Sequence, residues 1–369
     1  MCILGAMPGY RWGAIAASLS LLLSSLGGCG SSTDAPGFTP IGNGGSGGDG
    51  GTVTTTTASG GSGQMSSSTG MDPPKLGPPY PIVLSHGFFG FETFAGLDFL
   101  EYFYGVKDHL AQHGEPLVFT PAVDPFNSSA FRGQQLTEDI EDILEQTGHE
   151  KVIIIGHSQG GLDARVVAHT RPEMVAAVVT LQTPHYGSPI ADIALKIVGN
   201  PNLQGILDFL VQTMGAPLYD EIGNATSLYK PLYDFSEEGI AQFNAIYTDQ
   251  PGIYYASVAG RSDWHNGGLV CNVATAPDFI KAYDNELDPI DPLFDLPEQI
   301  LDGGLTNPYP NDGLVRVNHA IWGDFLGCVP ADHMDIIGQL FGDNPGLGNS
   351  FDYLQFYVDL VGLLRDQGL

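Results

Sequence analysis

Hydrophobic and polar positions along this chain follow two periods that take turns. Short apolar runs at residues 82–84, 117–119, 152–155, 176–181 and 254–258 are rich in Val, Ile and Tyr. Their length and β-branched content predict buried strands. Between the second and third runs, Leu136, Ile140, Ile143 and Leu144 recur at helical spacing on one face. That helix is expected to carry Glu138 and Asp139 in its first turn and to stop at Gly148. A further helix is expected over residues 161–169, directly after the third run. Strands alternating with helices predict an α/β domain with a mostly parallel central sheet flanked by helices. No internal repeat is visible.

The first part of the chain has a different texture. Residues 1–28 hold one basic residue, Arg11, ahead of an apolar segment over 14–26. That run of roughly 13 residues is short of the ~20 that span a bilayer, so it reads as an export signal. Its ending, Leu26-Gly27-Gly28-Cys29, resembles a bacterial lipobox, in which Cys29 is acylated and becomes the mature N-terminus; an ordinary cleaved signal is the alternative. Residues 30–70 are dominated by Gly, Ser and Thr with a few Pro, too poor in apolar side chains for a core, and residues 29–77 read as a disordered tether. The folded domain is expected over 78–369. Such a protein would be exported, either as an outer-membrane or cell-surface lipoprotein or in secreted form.

Charge and cysteines narrow the partners. With 42 acidic against 13 basic residues the formal charge is -29. Nucleic acid and anionic membrane surfaces would be repelled, while neutral substrates and bound cations fit. Of the four cysteines, Cys2 would leave with the signal and Cys29 would carry lipid. Cys271 and Cys328 remain, and in an exported protein two such residues most simply form a disulfide, with two buried thiols as the alternative.

The candidate chemistry starts at Val152-Ile153-Ile154-Ile155-Gly156-His157-Ser158-Gln159-Gly160, an apolar strand entering Gly-x-Ser-x-Gly. In a chain with 50 glycines the pentapeptide arises by chance, so its setting decides. A strand before it and a helix after it make a nucleophile elbow, with Ser158 on a tight turn and the helix N-terminus aimed at the reaction site. Upstream, residues 81–90 form a second strand opening into His86-Gly87-Phe88. The backbone N–H groups of Phe88 and Gln159 are the expected oxyanion donors.

In this fold the serine is followed by an acid and then by a histidine. His169 falls on the helix after the elbow and His185 just after the next strand. His333, in a loop expected to precede an apolar helix, is the candidate base, with His319 as runner-up. The orienting acid is expected where a strand ends in a turn, and Asn311-Asp312-Gly313 supplies Asp312. Asp295 and Asp302 are competing carboxylates.

These blocks together resemble the bacterial true lipases of the pseudomonad type, calcium-dependent triacylglycerol hydrolases with the α/β-hydrolase fold and a helical lid. The resemblance rests on residues 80–87, 156–165, Thr183-Pro184-His185-Tyr186-Gly187-Ser188, residues 311–315 and Asp332-His333-Met334-Asp335, all in the family's order. It implies a structural calcium ion (Ca2+) near the histidine. Asp335 and either Asp288 or Asp291 would give carboxylates, Asp288 being nearer the family pattern; Gln339 and Asp343 stand at the carbonyl-ligand positions. Many relatives depend on a dedicated foldase, which makes one a candidate partner. Two features depart from the pattern: Cys328 lies closer to His333 than the family's second cysteine does, and the anchor and tether are unlike a freely secreted lipase.

Three readings follow: a lipase acting on lipid or ester substrate at an interface, a carboxylesterase or polyester depolymerase on the same fold, and a non-catalytic surface lipoprotein. The segment at about 188–218 bears on the first. Leu203, Ile206, Leu207, Leu210 and Met214 share a helical face opposite Gln204, Asp208 and Gln212. Such a helix fits either a lid over the site or a buried core helix.

Overall fold

The computed structural model describes residues 74–88, 101–198, 225–263, 267–292, 294–304, 308–339, 342, 345–346 and 348–369. The chain divides into two units at Gly70 and Met71, and all described residues belong to the second. The export signal, Cys29, nearly all of the tether, the one-sided helix at Leu203 to Met214, and Asp343 lie outside the described residues. Contacts of the folded unit begin at Leu76, which bridges His149 in parallel, slightly ahead of the expected start at residue 78.

The apolar runs form the strands β1 (Ile82–Ser85), β2 (Val118–Phe119), β3 (Val152–His157), β4 (Val175–Leu181) and β5 (Tyr254–Gly260), and a sixth, β6 (Asp324–Val329), joins them. Their order is β2-β1-β3-β4-β5-β6, with every pairing parallel. Parallel pairing demands a crossover between successive strands, which supplies helices for both faces. The principal helices are α1 (Val106–Gln112), α2 (Ser129–Thr147), α3 (Gln159–Thr170), α4 (Pro189–Val198), α5 (Ala225–Asp234), α6 (Glu237–Ile246), α7 (Asp295–Asp302) and α8 (Tyr353–Asp366).

Alternation along each strand divides the core in two. Ile82, Leu84, Ile153 and Ile155 face Val106, Leu110, Tyr357 and Leu360 from α1 and α8. Val83, Val152 and Ile154 face Leu136, Ile140, Ala164 and Val167 from α2 and α3. Each buried aliphatic side chain contributes about 1.5–3 kcal/mol, so the central strands are held from both sides. The chain runs from β1 to β2 at the edge and returns to β3 on the other side of β1. That reversal opens a crevice at the strands' C-terminal ends, where sheets of this kind place ligands.

Several expectations are corrected. Helix α2 starts at Ser129, capped by the Ser128 side chain, so Glu138 and Asp139 sit in its middle. The periodicity missed the first turns because Arg132 and Gly133 point inward, Arg132 to an ion pair and Gly133 against Val166. Strand β6 was not anticipated, since Asp324 and Gly327 interrupt its apolar run. Asp312 does not end a named strand; it lies in the long β5–β6 connection beside an isolated bridge from Asn311 to Arg316. The helix expected after His333 is a single 3-10 turn, Asp335–Ile337. Cys271 and Cys328 do form a disulfide, which ties a short helix of the same connection to β6.

Candidate active site

Ser158 sits between the last residue of β3 and the first of α3, at φ 54° and ψ -125°. This is a region that side-chain-bearing residues rarely occupy, and it persists only where the surroundings enforce it. They do so by close approach. A Cβ on Gly156 would overlap the Gly160 carbonyl, and one on Gly160 would overlap the Ser85 carbonyl of β1. The serine's own N–H donates to the Leu181 carbonyl at 2.9 Å, and its carbonyl accepts from Thr183 Oγ1 at 2.8 Å. The hydroxyl is thereby fixed at the mouth of the crevice.

His333 Nε2 lies 2.9 Å from Ser158 Oγ, and His333 Nδ1 lies 2.9 Å from Asp312 Oδ2. The second contact leaves Nδ1 protonated and Nε2 free to accept from the serine hydroxyl. Asp312 is itself anchored: Oδ1 accepts from the N–H groups of Leu314 and Val315 at 2.9 and 2.7 Å. Its carbonyl also accepts from the His333 N–H at 2.9 Å. The competing groups are engaged elsewhere. His319 Nδ1 meets the Gly187 carbonyl, His185 Nε2 meets Thr180 Oγ1, and Asp302 accepts from Asn311.

The loop after β1 passes directly over the serine. A Cβ on Gly87 would come within 2.8 Å of Ser158 Cβ. The Phe88 ring is flanked edge-on by Phe126 and Phe235, with centroids 6.2 and 6.0 Å away. Gln159 opens α3, and its side-chain Nε2 donates to the Asn127 carbonyl at 2.9 Å. Beneath this loop lies a residue that the motifs did not reveal. Arg132 pairs with Asp163 at 2.7 Å, both fully buried, and its Nη2 donates to the His86 carbonyl at 2.6 Å. His86 accepts from the Val123 N–H and donates to the Gly87 carbonyl. Burial, with Arg132 adding to it, lowers that imidazole to about 3, so it stays neutral. Burial lifts the Asp163 carboxyl to about 7, against the pull of Arg132 beside it.

A second cluster lies next to the histidine loop. Asp288, Asp332 and Asp335 each offer a carboxylate oxygen, all within 4.8 Å of one another, and all three residues are buried. Both oxygens of Asp288 lack a hydrogen-bond partner. Burial first, then the neighbouring charge of Asp332, raises Asp288 to about 8; burial and the same neighbours raise Asp335 to about 10. Asp332, raised to about 6 by burial and then by Asp291, was not among the expected ligands. Its oxygens also accept from the N–H groups of Met334, Asp335 and Asp291, which shapes the loop around His333. Gln339 is buried nearby, with its amide donating to the carbonyls of Glu101 and Tyr102. Hard oxygen donors in a buried, unneutralised group are suited to a divalent cation of the calcium type.

The architecture and the elbow define an α/β-hydrolase, and residues 80–212 match the family model described as alpha/beta hydrolase fold. A triacylglycerol lipase of Vibrio cholerae is 33% identical over 279 residues, covering 71% of this chain and 81% of that protein. One of Pseudomonas fragi is 29% identical over 307 residues, covering 79% of this chain and 97% of that protein. EstA from Clostridium botulinum shares the fold, with a TM-score of 0.53 at 18% identity over 77% of this chain and 87% of that one. The chain belongs to the bacterial lipases of the α/β-hydrolase superfamily. It is a carboxylic ester hydrolase.

The buried pair beneath the loop after β1 makes a direct prediction. Arg132→Met should destabilise the fold by ~3–5 kcal/mol, because Asp163 would lose its buried counter-charge and the Asp124 and His86 carbonyls would lose their donor. Pairing it with Asp163→Leu should recover much of that loss. Denaturant melts of the two single variants and the double variant check this; strictly additive losses would mean that the pair is not coupled.

Proposed function

We propose that the chain is a triacylglycerol lipase that works through Ser158, His333 and Asp312. The unbroken line from Ser158 Oγ through the His333 ring to Asp312, with both contacts at 2.9 Å, carries this reading. His333 Nε2 takes the hydroxyl proton as Ser158 attacks the ester carbonyl, and Asp312 stabilises the imidazolium that results. The backbone N–H groups of Phe88 and Gln159 are the oxyanion donors, each contributing roughly 3–4 kcal/mol to the transition state. The imidazolium then protonates the departing alcohol, leaving an acyl-enzyme on Ser158. A water molecule, deprotonated by His333, releases the fatty acid and restores the serine.

Asp288, Asp332 and Asp335 fit a calcium ion, joined by the carbonyls of Gln339 and Asp343 that the family resemblance supplies. A calcium ion held there would supply positive charge to these buried carboxylates. The chain's own contribution is geometric, since Asp332 and Asp335 flank His333 and hold its loop. Export and lipid anchoring through Cys29 belong to the same proposal on the lipobox-like ending of the signal, and a dedicated foldase rests on the resemblance alone.

Ser158→Ala should lower ester hydrolysis by several orders of magnitude while the melting temperature stays close to the parent's. The parent should hydrolyse a long-chain triglyceride emulsion more effectively than short soluble esters. Activity of Ser158→Ala within tenfold of the parent would overturn the serine's role, and a clear preference for short soluble esters would assign the protein to the carboxylesterases. No hydrolysis by the parent in either form would leave a binding lipoprotein.

Chelation should lower the melting temperature and the activity together, and added calcium should restore both. An ion at ~100 times its dissociation constant stabilises the native state by about 2.7 kcal/mol, enough to move a melting curve. Magnesium should rescue poorly, because it demands tighter octahedral geometry. Unchanged melting after chelation would remove the ion from the account.

A further inference from the structure

Gln182, at the end of β4, has no part in the reaction described so far. Its backbone is held at φ 52°, a region that favours glycine or asparagine. Its buried side chain makes three specific contacts. Nε2 donates to the carbonyls of Ala331 and Asp332, at 3.1 and 3.0 Å, the two residues immediately before His333. Both amide hydrogens are thereby used, so Oε1 is the atom that faces His157 Nε2 at 3.2 Å. His157 must then carry its proton on Nε2, which leaves Nδ1 to accept from the Tyr102 hydroxyl at 2.7 Å.

The chain of contacts continues at both ends. The Tyr102 oxygen lies against Gly87 of the oxyanion loop, 2.5 Å from where a Cβ would stand. The His157 ring packs 4.7 Å from the His333 ring, tilted by 50°. Burial, and then the neighbouring His333, hold His157 well below its ordinary value, so its ring is neutral and the bond directions are fixed. A glycine at position 182 would satisfy the backbone, but the Ala331 and Asp332 carbonyls would lose the amide that donates to them and His157 would lose its contact with Oε1.

We propose that Gln182 is a positioning residue for hydrolysis, clamping the backbone ahead of His333 and coupling that loop, through His157 and Tyr102, to the oxyanion loop. This rests on the triad reading given above. The clamp restricts where Nε2 of His333 can sit relative to Ser158, and a displacement on the order of 1 Å at such a point can lower turnover about a hundredfold. It touches neither substrate nor the reacting atoms.

Two variants separate positioning from stability. Gln182→Met keeps the length of the side chain and the left-handed strain, whereas Gln182→Gly removes both; each loses the amide. With a soluble ester, assayed well below both melting temperatures, each should lose about tenfold or more in kcat with KM within about twofold of the parent. The downfield proton resonance of the His333 to Asp312 contact should shift or broaden in both, although Gln182→Gly should melt at or above Gln182→Met. Tyr102→Phe, which deletes one oxygen, should show a smaller loss of the same kind. Parent-like kcat in either folded variant overturns the proposal, as does activity that follows melting temperature instead of the amide. Ser158→Ala in the same assay distinguishes the two levels. If it is inactive while the Gln182 variants are unaffected, positioning alone fails; if it is active, the triad reading falls and the proposal with it.

Discussion

The structure depends on one backbone constraint, the direct passage from β3 into α3 through Ser158 at φ 54°. A parallel strand buried on both sides cannot present a side chain at its end unless the chain turns sharply there. The turn forces β1, β3 and α3 so close together that Gly156 and Gly160 have no room for a Cβ. It also orients α3 so that its first N–H groups, with their partial positive charge, face the reacting centre. The strain is offset by the surrounding aliphatic core and by the bonds from Ser158 to Leu181 and Thr183. Because β1 and β3 are neighbours at the reversal of strand order, the loop after β1 comes over the serine with no further device.

Around that fixed point, buried ionisable side chains line the two loops that meet the serine. Arg132 and Asp163 lie beneath the loop after β1, where Arg132 holds the His86 carbonyl. Asp288, Asp332 and Asp335 lie on the histidine side, and burial first, then neighbouring carboxylates, raises all three above the usual carboxylate range. The two arrangements differ in kind. Arg132 brings its own counter-charge, whereas among the described residues Asp288, Asp332 and Asp335 face one another as three buried carboxyls. A strongly acidic protein with 13 basic residues has few side chains to spare as counter-charges.

Much of this was legible in the sequence because it arises from local rules. A β-branched run before Gly-x-Ser-x-Gly can hardly fold otherwise, and Ser158, Asp312 and His333 were each marked by turn chemistry and chain order. The structure brings them together at 2.9 Å contacts. The features that were not legible are long-range. Gln182 lies 149 and 150 residues from the carbonyls that it clamps, and Tyr102 lies 55 residues from His157. Arg132 sits where a helical reading expects solvent, and its role appears only when α3 and the β1 loop pack against it. Asp332 was passed over because a residue beside the base looks like part of the loop, and its burial between Asp288 and Asp335 is a tertiary fact. Strand β6 was hidden by Gly327, whose φ of 125° no aliphatic residue would share.

On the proposed mechanism Ser158 is the one activated nucleophile and His333 activates it. Covalent capture tests this most directly. The protein is incubated with an alkyl fluorophosphonate and the adduct is located by peptide mass spectrometry. A single stoichiometric adduct on Ser158 is expected, with labelling slowed by orders of magnitude in His333→Ala. Labelling at another serine, or undiminished labelling of Ser158 without the histidine, would contradict it.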